Sequence, residues 1–318
     1  MPESSAPGMP FGCEEFGRLT RVLVHRPGRE LELVNDENHE RWLFDRVPDV
    51  AGFVEEHGRY CELLASNGVE VLELGDHVND HHDWMAQMPN LTYLHDIAVI
   101  TRKGAILSAM AWDGRKREEV VVREALGTLG IPIFIDFDSA RDAFEGCLLL
   151  STDVVLVVET ERHSRPAVLK FVRRALGAFR EVIYVDIPKA RRFMHPDTVY
   201  NRVSRGLAVA YLPAFGNSYL FTDGGVERID FVRHMRGKGV EIVGVSDSEQ
   251  ARLACSLVAL EPGFILHYDN ALDRETQLVL ARKGVELVFF HPECVTAGGG
   301  SLRCMTLRLH RDAPGDRQ

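Results

Sequence analysis

Apolar residues along the chain fall into short runs that alternate with longer segments of helical periodicity. Two strand-like runs joined by a short turn precede a helix-like segment, and a single further strand follows it. Ile97–Ile100, Ala105–Ser108, Arg117–Leu129 and Ile131–Ile135 make up one such unit. This order predicts an α/β fold in which each unit contributes two strands, a helix and a third strand.

The unit returns along the chain, with hairpins that begin near residues 97, 147, 198 and 256. In the third unit, Gly225–Lys238 is predicted to be the helix. The fifth unit is divided between the termini, with Leu302–Leu309 at one end and Leu19–His25 at the other. A repeat of roughly 50 residues is typical of proteins built from stacked units. Pairing the first strand with the last predicts a closed ring, because closure removes two sheet edges. An ordinary three-layer α/β sandwich is the alternative that the pattern leaves open.

The boundaries of these units are marked only locally. No linker rich in Ser or Gly interrupts the chain, so we expect a single domain over residues 1–318, with loose termini at 1–16 and 312–318. A glycine follows each of four predicted helices, which predicts left-handed caps at Gly68, Gly130, Gly239 and Gly284.

Composition excludes several classes of protein. Acidic residues outnumber basic ones, 47 to 37, for a net charge of −10, which disfavours a nucleic-acid partner. The six cysteines form no CxxC pair, which favours reduced thiols and a cytoplasmic location. No signal peptide or membrane-spanning apolar stretch is evident, so no membrane partner is expected.

Two motifs contain residue types suited to nucleophilic chemistry. Cys304 follows the glycine run 298–300, and the adjacent Arg303 could favour its thiolate. A buried cysteine behind a glycine loop is the simpler alternative. His195 and Asp197 are two residues apart, so in extended backbone they share a face. That spacing suits a base beside a carboxylate, although an ordinary surface turn also fits.

Two further carboxylates lie at equivalent points of neighbouring units. Asp96 and Glu145 each begin a hairpin. In a ring of units, such positions meet at one end of the axis. The sequence therefore predicts that one cysteine, one histidine and three carboxylates converge on a single cavity.

These residues lie within motifs that resemble a known family. The motifs run from Val22-Leu23-Val24-His25-Arg26-Pro27-Gly28 through Pro89-Asn90-Leu91, Glu145-Gly146 and Met194-His195-Pro196-Asp197 to Arg303-Cys304-Met305. In this order and spacing they resemble the arginine deiminase family of the guanidino-group-modifying superfamily, over nearly the whole chain. The resemblance implies a five-bladed, pseudo-symmetric α/β propeller of pentein-type repeats. The helical insertion of longer deiminases is not expected, since only a loop fits between Leu74 and Asn90.

The resemblance also implies roles for eight residues. Catalysis would fall to Cys304 as nucleophile, His195 as general acid and base, and Glu145 as the carboxylate partner of His195. Substrate binding would fall to Asp96 and Asp197 at the guanidinium, and to Asn90, Arg115 and Arg162 at the α-carboxylate. No metal or cofactor is required.

The implied reaction converts free arginine to citrulline and ammonia through an S-alkylthiouronium on Cys304. An amidinotransferase that moves the amidino group to an amine is the main alternative, and a methylarginine hydrolase is another. A non-catalytic guanidine-binding protein also stays open, because His95 and Cys147 depart from the family's usual residues. The expected partner is a small guanidino compound, and a homodimer is left open.

Overall fold

The structure is a computed structural model that describes residues 9–13 and 16–312. Short aliphatic runs form its strands, which belong to five separate sheets. The strands are β1 (Leu19–Val24), β2 (Glu70–Glu73), β3 (Ala98–Thr101), β4 (Gly104–Leu107), β5 (Ile133–Ile135), β6 (Leu148–Leu149), β7 (Val154–Glu159), β8 (Glu181–Asp186), β9 (Tyr200–Ser204), β10 (Leu207–Ala210), β11 (Ser218–Thr222), β12 (Gly225–Ile229), β13 (Glu241–Gly244), β14 (Val258–Glu261), β15 (Phe264–Tyr268), β16 (Glu286–Phe290) and β17 (Leu307–Arg311).

Helices connect the second and third strands of the units, and shorter helical turns lie in the loops. They are α1 (Val50–Ser66), α2 (His82–Met85), α3 (Glu118–Thr128), α4 (Arg165–Ala175), α5 (Phe231–Gly237), α6 (Asp247–Ala251) and α7 (Arg274–Arg282). The four predicted caps are confirmed, since Gly68, Gly130, Gly239 and Gly284 have φ values of 75°, 73°, 78° and 78°. Within the described residues, none of the helices combines the length and the apolar character that crossing a bilayer requires.

Each sheet contains the predicted unit of an antiparallel pair with a parallel third strand. The order is β17-β1-β2 in the sheet that joins the two ends of the chain. Three other sheets follow the orders β3-β4-β5, β9-β10-β13 and β14-β15-β16. The remaining sheet has five strands in the order β6-β7-β8-β11-β12. The mixed α/β prediction is confirmed, and the divided fifth unit pairs as expected.

The third unit differs from the prediction. Gly225–Ile229 is the strand β12, so the helix predicted from Gly225 is wrong over those residues, and α5 begins only at Phe231. β11 and β12 form a hairpin whose closing pair, Thr222 and Gly225, encloses Asp223-Gly224. An Asp-Gly pair favours a two-residue hairpin turn, so a local signal was present. The hairpin extends the preceding sheet by pairing β11 with β8.

Neighbouring sheets contact one another in sequence. β17 lies against β3, an isolated bridge joins Ala109 to Phe144, and β7 contacts the turn Pro196–Thr198 that leads into β9. β9 then contacts β14, and β14 contacts β1. No continuous sheet joins the five within the described residues, so the propeller stays a prediction.

Some of the expected loose ends are ordered. Residues 1–8, 14–15 and 313–318 lie outside the described part of the chain. Gly12 donates its N–H to the Leu309 carbonyl at 2.8 Å and Cys13 donates to that of Ile100 at 3.1 Å. The prediction of a loose leader is therefore wrong for these two residues, since backbone carbonyls of β17 and β3 accept their N–H groups. Asp312 likewise donates its backbone N–H to the Arg18 carbonyl at 3.0 Å.

A buried carboxylate of α1 fixes the segment that leads into the glycine run. Both oxygens of Glu56 accept backbone N–H groups, from Glu293, Cys294 and Val295, at 2.9–3.2 Å. Hydrogen bonds to an ionised acceptor are shorter and stronger than neutral ones. Glu56 thereby satisfies the donors that open the 3-10 turn Val295–Gly298, just ahead of Cys304.

We expect Glu56→Ala to destabilise the fold by about 2–4 kcal/mol, because three backbone N–H groups, that of buried Val295 among them, lose their acceptor. Urea unfolding followed by circular dichroism measures the change. Glu62→Ala on the same helix is the matched control, since Glu62 is exposed, and it should change the free energy of unfolding by less than about 0.5 kcal/mol. Equal effects of the two substitutions would contradict this assignment.

Candidate active site

Cys304 lies in a turn immediately before β17 and is 9% exposed. The predicted strand Leu302–Leu309 therefore begins later, at Leu307. The Cys304 Sγ is 3.3 Å from the Ser301 Oγ, which also accepts the Cys304 N–H at 3.3 Å. The Cys304 carbonyl accepts the His95 N–H at 3.0 Å. These bonds join the cysteine turn to the turn that carries Asp96.

The glycine run packs against the ring of Tyr93. A Cβ on Gly298 would lie 2.0 Å from the Tyr93 hydroxyl oxygen, and one on Gly300 would lie 2.3 Å from a ring carbon. Gly299 has a φ of 72°, a left-handed conformation that favours glycine. The run is therefore required for the backbone to pass this buried ring on its way to Cys304.

His195 lies between two carboxylates from other units. Its Nε2 is 3.1 Å from the Glu145 Oε2 and its Nδ1 is 3.5 Å from the Asp96 Oδ1. Burial by itself lowers the pKa of His195, but Asp96, Glu145 and Asp197 outweigh it and raise the pKa above 6.5. Burial likewise raises the pKa of Glu145, yet His195 and Arg162 bring it down to about 2. The pair is thus an imidazolium beside a carboxylate.

Asp96 accepts a hydrogen bond on one oxygen and faces His195 with the other. Its Oδ2 is 2.5 Å from the Arg115 Nη1, and the rest of that guanidinium binds Glu118 and the Tyr93 carbonyl. The Asp96 Oδ1 is buried without a hydrogen-bond partner in the described residues. Arg115 thus orients Asp96 and leaves one carboxylate oxygen for another cation.

Asp197 has a similar arrangement with a different arginine. Its Oδ2 is 3.1 Å from the Arg303 Nε, accepts from the Ser256 Oγ at 3.3 Å, and is 3.8 Å from the His95 Nε2. Burial and the charge of Arg303 lower the pKa of His95 well below 6.5. Neutral His95 and charged Arg303 therefore both face this carboxylate.

The thiol of Cys304 is not favoured as a thiolate in the unliganded protein. Burial raises its pKa to about 12, and the charges of Asp96 and Asp197 add to the effect, against a smaller opposing contribution from Ser301. The expectation that Arg303 favours the thiolate is wrong for this state. The guanidinium of Arg303 lies against Asp197, and two carboxylates outweigh it at the sulfur.

The three residues expected at the substrate's α-carboxylate are all buried near the site. Asn90 donates to the Trp42 carbonyl at 2.7 Å, and Arg115 is engaged as described. Arg162 lies 3.6 Å from the Glu145 Oε2, stacks over Trp112, and keeps its Nη1 without a hydrogen bond in the described residues. Of the three, Arg162 has a donor available for a ligand.

Sequence reasoning did not assign a role to several residues of the site. Ser301 contacts the thiol, Glu118 holds Arg115, and Arg303 and His95 face Asp197. Only the position of Arg303 beside Cys304 and the unusual His95 gave any signal. The direction of each side chain depends on packing between units, which spacing does not report.

Comparisons with known proteins bear on this arrangement. A family model described as arginine deiminase matches residues 76–218. Curated arginine deiminases from Mycoplasma capricolum subsp. capricolum and Staphylococcus aureus are 25% and 24% identical, over 94% of this chain and 96% and 97% of theirs. The alignments, of 393 and 405 residues, are longer than this chain.

Solved structures have the same fold. The N-terminal domain of ArgZ, described as an arginine dihydrolase from Cyanobacteria, matches with a TM-score of 0.71 at 18% identity, over 92% of this chain and 97% of that domain. An AgrE variant in complex with L-arginine also matches at 0.71, with 16% identity over 93% of this chain, which spans only 41% of that longer protein. A dimethylarginine dimethylaminohydrolase matches at 0.65, with 16% identity over 91% of this chain and 99% of its own length.

The chain thus shares its fold with these solved structures, several of which are described as acting on or binding arginine or methylated arginine. In sequence the chain is similar to arginine deiminases, in agreement with the resemblance found in its motifs.

We expect Gly300→Ala to destabilise the protein, because the added methyl group overlaps the ring of Tyr93, and overpacking costs about 1–3 kcal/mol. Differential scanning calorimetry measures the loss as a lower Tm. Gly237→Ala is the control, since a Cβ there meets nothing within 4 Å. An unchanged Tm for Gly300→Ala would show that the loop does not need this close approach.

We expect Glu145→Gln to lower the pKa of His195 by about one unit or more, because an adjacent anion is lost while burial still disfavours the imidazolium. A pH titration of the imidazole resonances by NMR measures the shift. Glu159→Gln is the control, a buried carboxylate that instead pairs with Lys189 and Arg165. The pH dependence of the free energy of unfolding gives a second test. The raised pKa of His195 stabilises the fold at low pH, and this contribution is lost as the pH rises through that pKa. An unchanged His195 pKa in Glu145→Gln would refute the pairing.

Proposed function

We propose that the protein hydrolyses the guanidino group of free arginine to give citrulline and ammonia. The observation that carries the proposal is the imidazole of His195 held between Glu145 and Asp96, with Asp96 presenting an unpartnered buried oxygen. A planar cation fits between Asp96 and Asp197, since the Asp96 Oδ1 accepts no hydrogen bond in the described residues and the contacts of Asp197 with cations are all through its Oδ2. Cys304 is joined to the Asp96 turn through the N–H of His95.

The substrate's charge prepares the nucleophile. Because Asp96 and Asp197 both raise the pKa of the Cys304 thiol, a guanidinium bound between them offsets their effect and lowers that pKa. The thiol proton is then released, and the thiolate attacks the central guanidinium carbon, which the two carboxylates hold in position.

His195 then transfers protons in both halves of the reaction. Its imidazolium protonates the departing nitrogen as the carbon–nitrogen bond breaks, so ammonia leaves and an S-alkylthiouronium remains on Cys304. The neutral imidazole next takes a proton from water, whose oxygen attacks the same carbon. The remaining hydroxyl proton passes to water or to the released ammonia as the carbon–sulfur bond breaks, so citrulline is released, the thiolate is restored and His195 is again an imidazolium. Glu145 stabilises the imidazolium form between these steps.

An amidinotransferase is the alternative, because an amine can attack the same covalent intermediate in place of water. A methylarginine hydrolase would use the same residues with a pocket that tolerates methyl groups.

We also propose that the five sheets form a five-bladed propeller, since each contacts the next around the molecule. A single catalytic domain, a cytoplasmic location and a homodimer stay predictions.

We expect Cys304→Ser to lower the rate of citrulline and ammonia production from arginine at least about 1,000-fold, because a serine hydroxyl is a far weaker nucleophile at neutral pH. Colorimetric ureido detection and isothermal titration calorimetry measure turnover and arginine binding, and binding should persist. Cys294→Ser is the matched control, the more exposed thiol of a neighbouring turn, and it should retain full activity.

Three outcomes would separate the alternatives. Full activity in Cys304→Ser would remove the nucleophile assignment. Release of ornithine only when glycine or another amine is added would establish the transferase. Arginine binding by the wild-type protein without product, and without a thiouronium mass adduct on Cys304, would establish a binding protein.

A further inference from the structure

A small cavity separate from the candidate active site is surrounded by arginines. It has a volume of about 40 Å³, and its lining includes Arg202 of β9, Arg303, and Arg308 and Arg311 of β17. The only carboxylate among its lining residues in the described part of the chain is that of Glu261. Four guanidinium groups therefore surround a space of the size of one or two water molecules.

Two of these arginines have donors that the described residues do not satisfy. Arg303 is 2% exposed, and its Nη2 has no hydrogen-bond partner, although its Nη1 reaches the Leu257 carbonyl at 3.4 Å. The Nε of Arg308 is buried and also unpartnered. Buried N–H donors of a charged group are seldom left without an acceptor.

The described hydrogen bonds of the other two lining arginines end on backbone carbonyls. Arg202 donates to the carbonyls of Leu150, Ser204 and Arg205, and Arg311 donates to those of Gly17 and Ala259. These bonds satisfy donors but leave the positive charges in place. Glu261 has Arg18 at 3.7 Å, and Asp197 faces Arg303 from the active-site side.

The excess positive charge has an energetic consequence. Burial and the repulsion of Arg308 lower the pKa of Arg303 to about 9 and that of Arg311 to about 10. Bringing an anion into the cavity would offset this repulsion and accept the two orphaned donors. A negatively charged group without proton donors of its own suits the site best.

We propose that this cavity binds a small monovalent inorganic anion of the size of chloride, held by Arg303 and Arg308. The size of the space favours a single-atom ion over a phosphate or a carboxylate ligand. Because Arg303 contacts the anion through Nη2 and Asp197 through Nε, the bound ion fixes the guanidinium that orients this carboxylate. The site does not depend on the reaction proposed above.

Bromide is the direct probe, since it replaces chloride and scatters anomalously. Crystals of the wild-type protein grown in bromide should show an anomalous peak between Arg303 and Arg308. In solution, Tm should rise by about 3–6 °C from potassium gluconate to potassium chloride at equal ionic strength, since a ligand at many times its Kd stabilises the folded state. Gluconate is too large for the cavity.

Arg308→Met removes one donor and should abolish both the peak and the chloride-dependent rise. Arg236→Met is the control, an exposed arginine of α5 without an ion pair among the described residues, and it should keep the chloride response. A cavity filled with water gives no anomalous peak. Absence of a bromide peak in the wild-type crystals therefore overturns the proposal, even if chloride raises the Tm. Retention of the peak in Arg308→Met overturns the assigned ligands. If that variant does not fold, the wild-type diffraction decides.

Discussion

Charge balance around three buried carboxylates is the constraint on which this structure depends. Asp96, Glu145 and Asp197 are each less than 7% exposed, and an ionised carboxylate in such surroundings requires a positive partner. The chain supplies Arg115, His195 and Arg303, one for each. Asp96 and Arg115 belong to one unit, but Glu145 and His195 come from different units, as do Asp197 and Arg303, so the units must pack in register before these two pairs can form. The same pairing therefore holds the units together and shapes the site.

This balance is incomplete in a way that favours a cationic ligand. One oxygen of Asp96 accepts no hydrogen bond in the described residues, and Asp96 and Asp197 still raise the pKa of Cys304 despite their cationic partners. A bound guanidinium would stabilise both anions and the thiolate together, whereas a neutral ureido product would not. In the proposed reaction the site would thus distinguish substrate from product by charge, which would promote release after hydrolysis. A free thiolate is also avoided while the site is empty, which protects the sulfur from oxidation.

The order of elements and their ends were predictable because local physics decides them. A glycine ends a helix, and an aliphatic run forms a strand, through interactions within a few residues. Gly68 and Gly284, for example, need no distant partner to end their helices. The β11–β12 hairpin was missed although Asp223-Gly224 signalled it, because the repeat pattern was given more weight than the turn. The prediction that Cys304, His195 and Asp96 converge came from the repeat. The direction of Arg303 toward Asp197 did not, because it depends on which buried anion lies nearest after packing.

The two departures from the family pattern have different physical consequences. Cys147 is buried behind Gly146, and burial raises the pKa of its thiol well above the ordinary value, so it lacks the thiolate character that reactive cysteines need. His95 faces Asp197 as a neutral ring, where the family usually has an arginine beside its first aspartate. Arg303 supplies the positive charge there instead, through its Nε. Replacing an arginine by a neutral histidine also avoids a second buried cation next to Arg303, whose charge is already disfavoured by Arg308 and Arg311. The unusual residue is thus compatible with the clamp that the proposed reaction requires, and its backbone N–H still holds the Cys304 carbonyl in place.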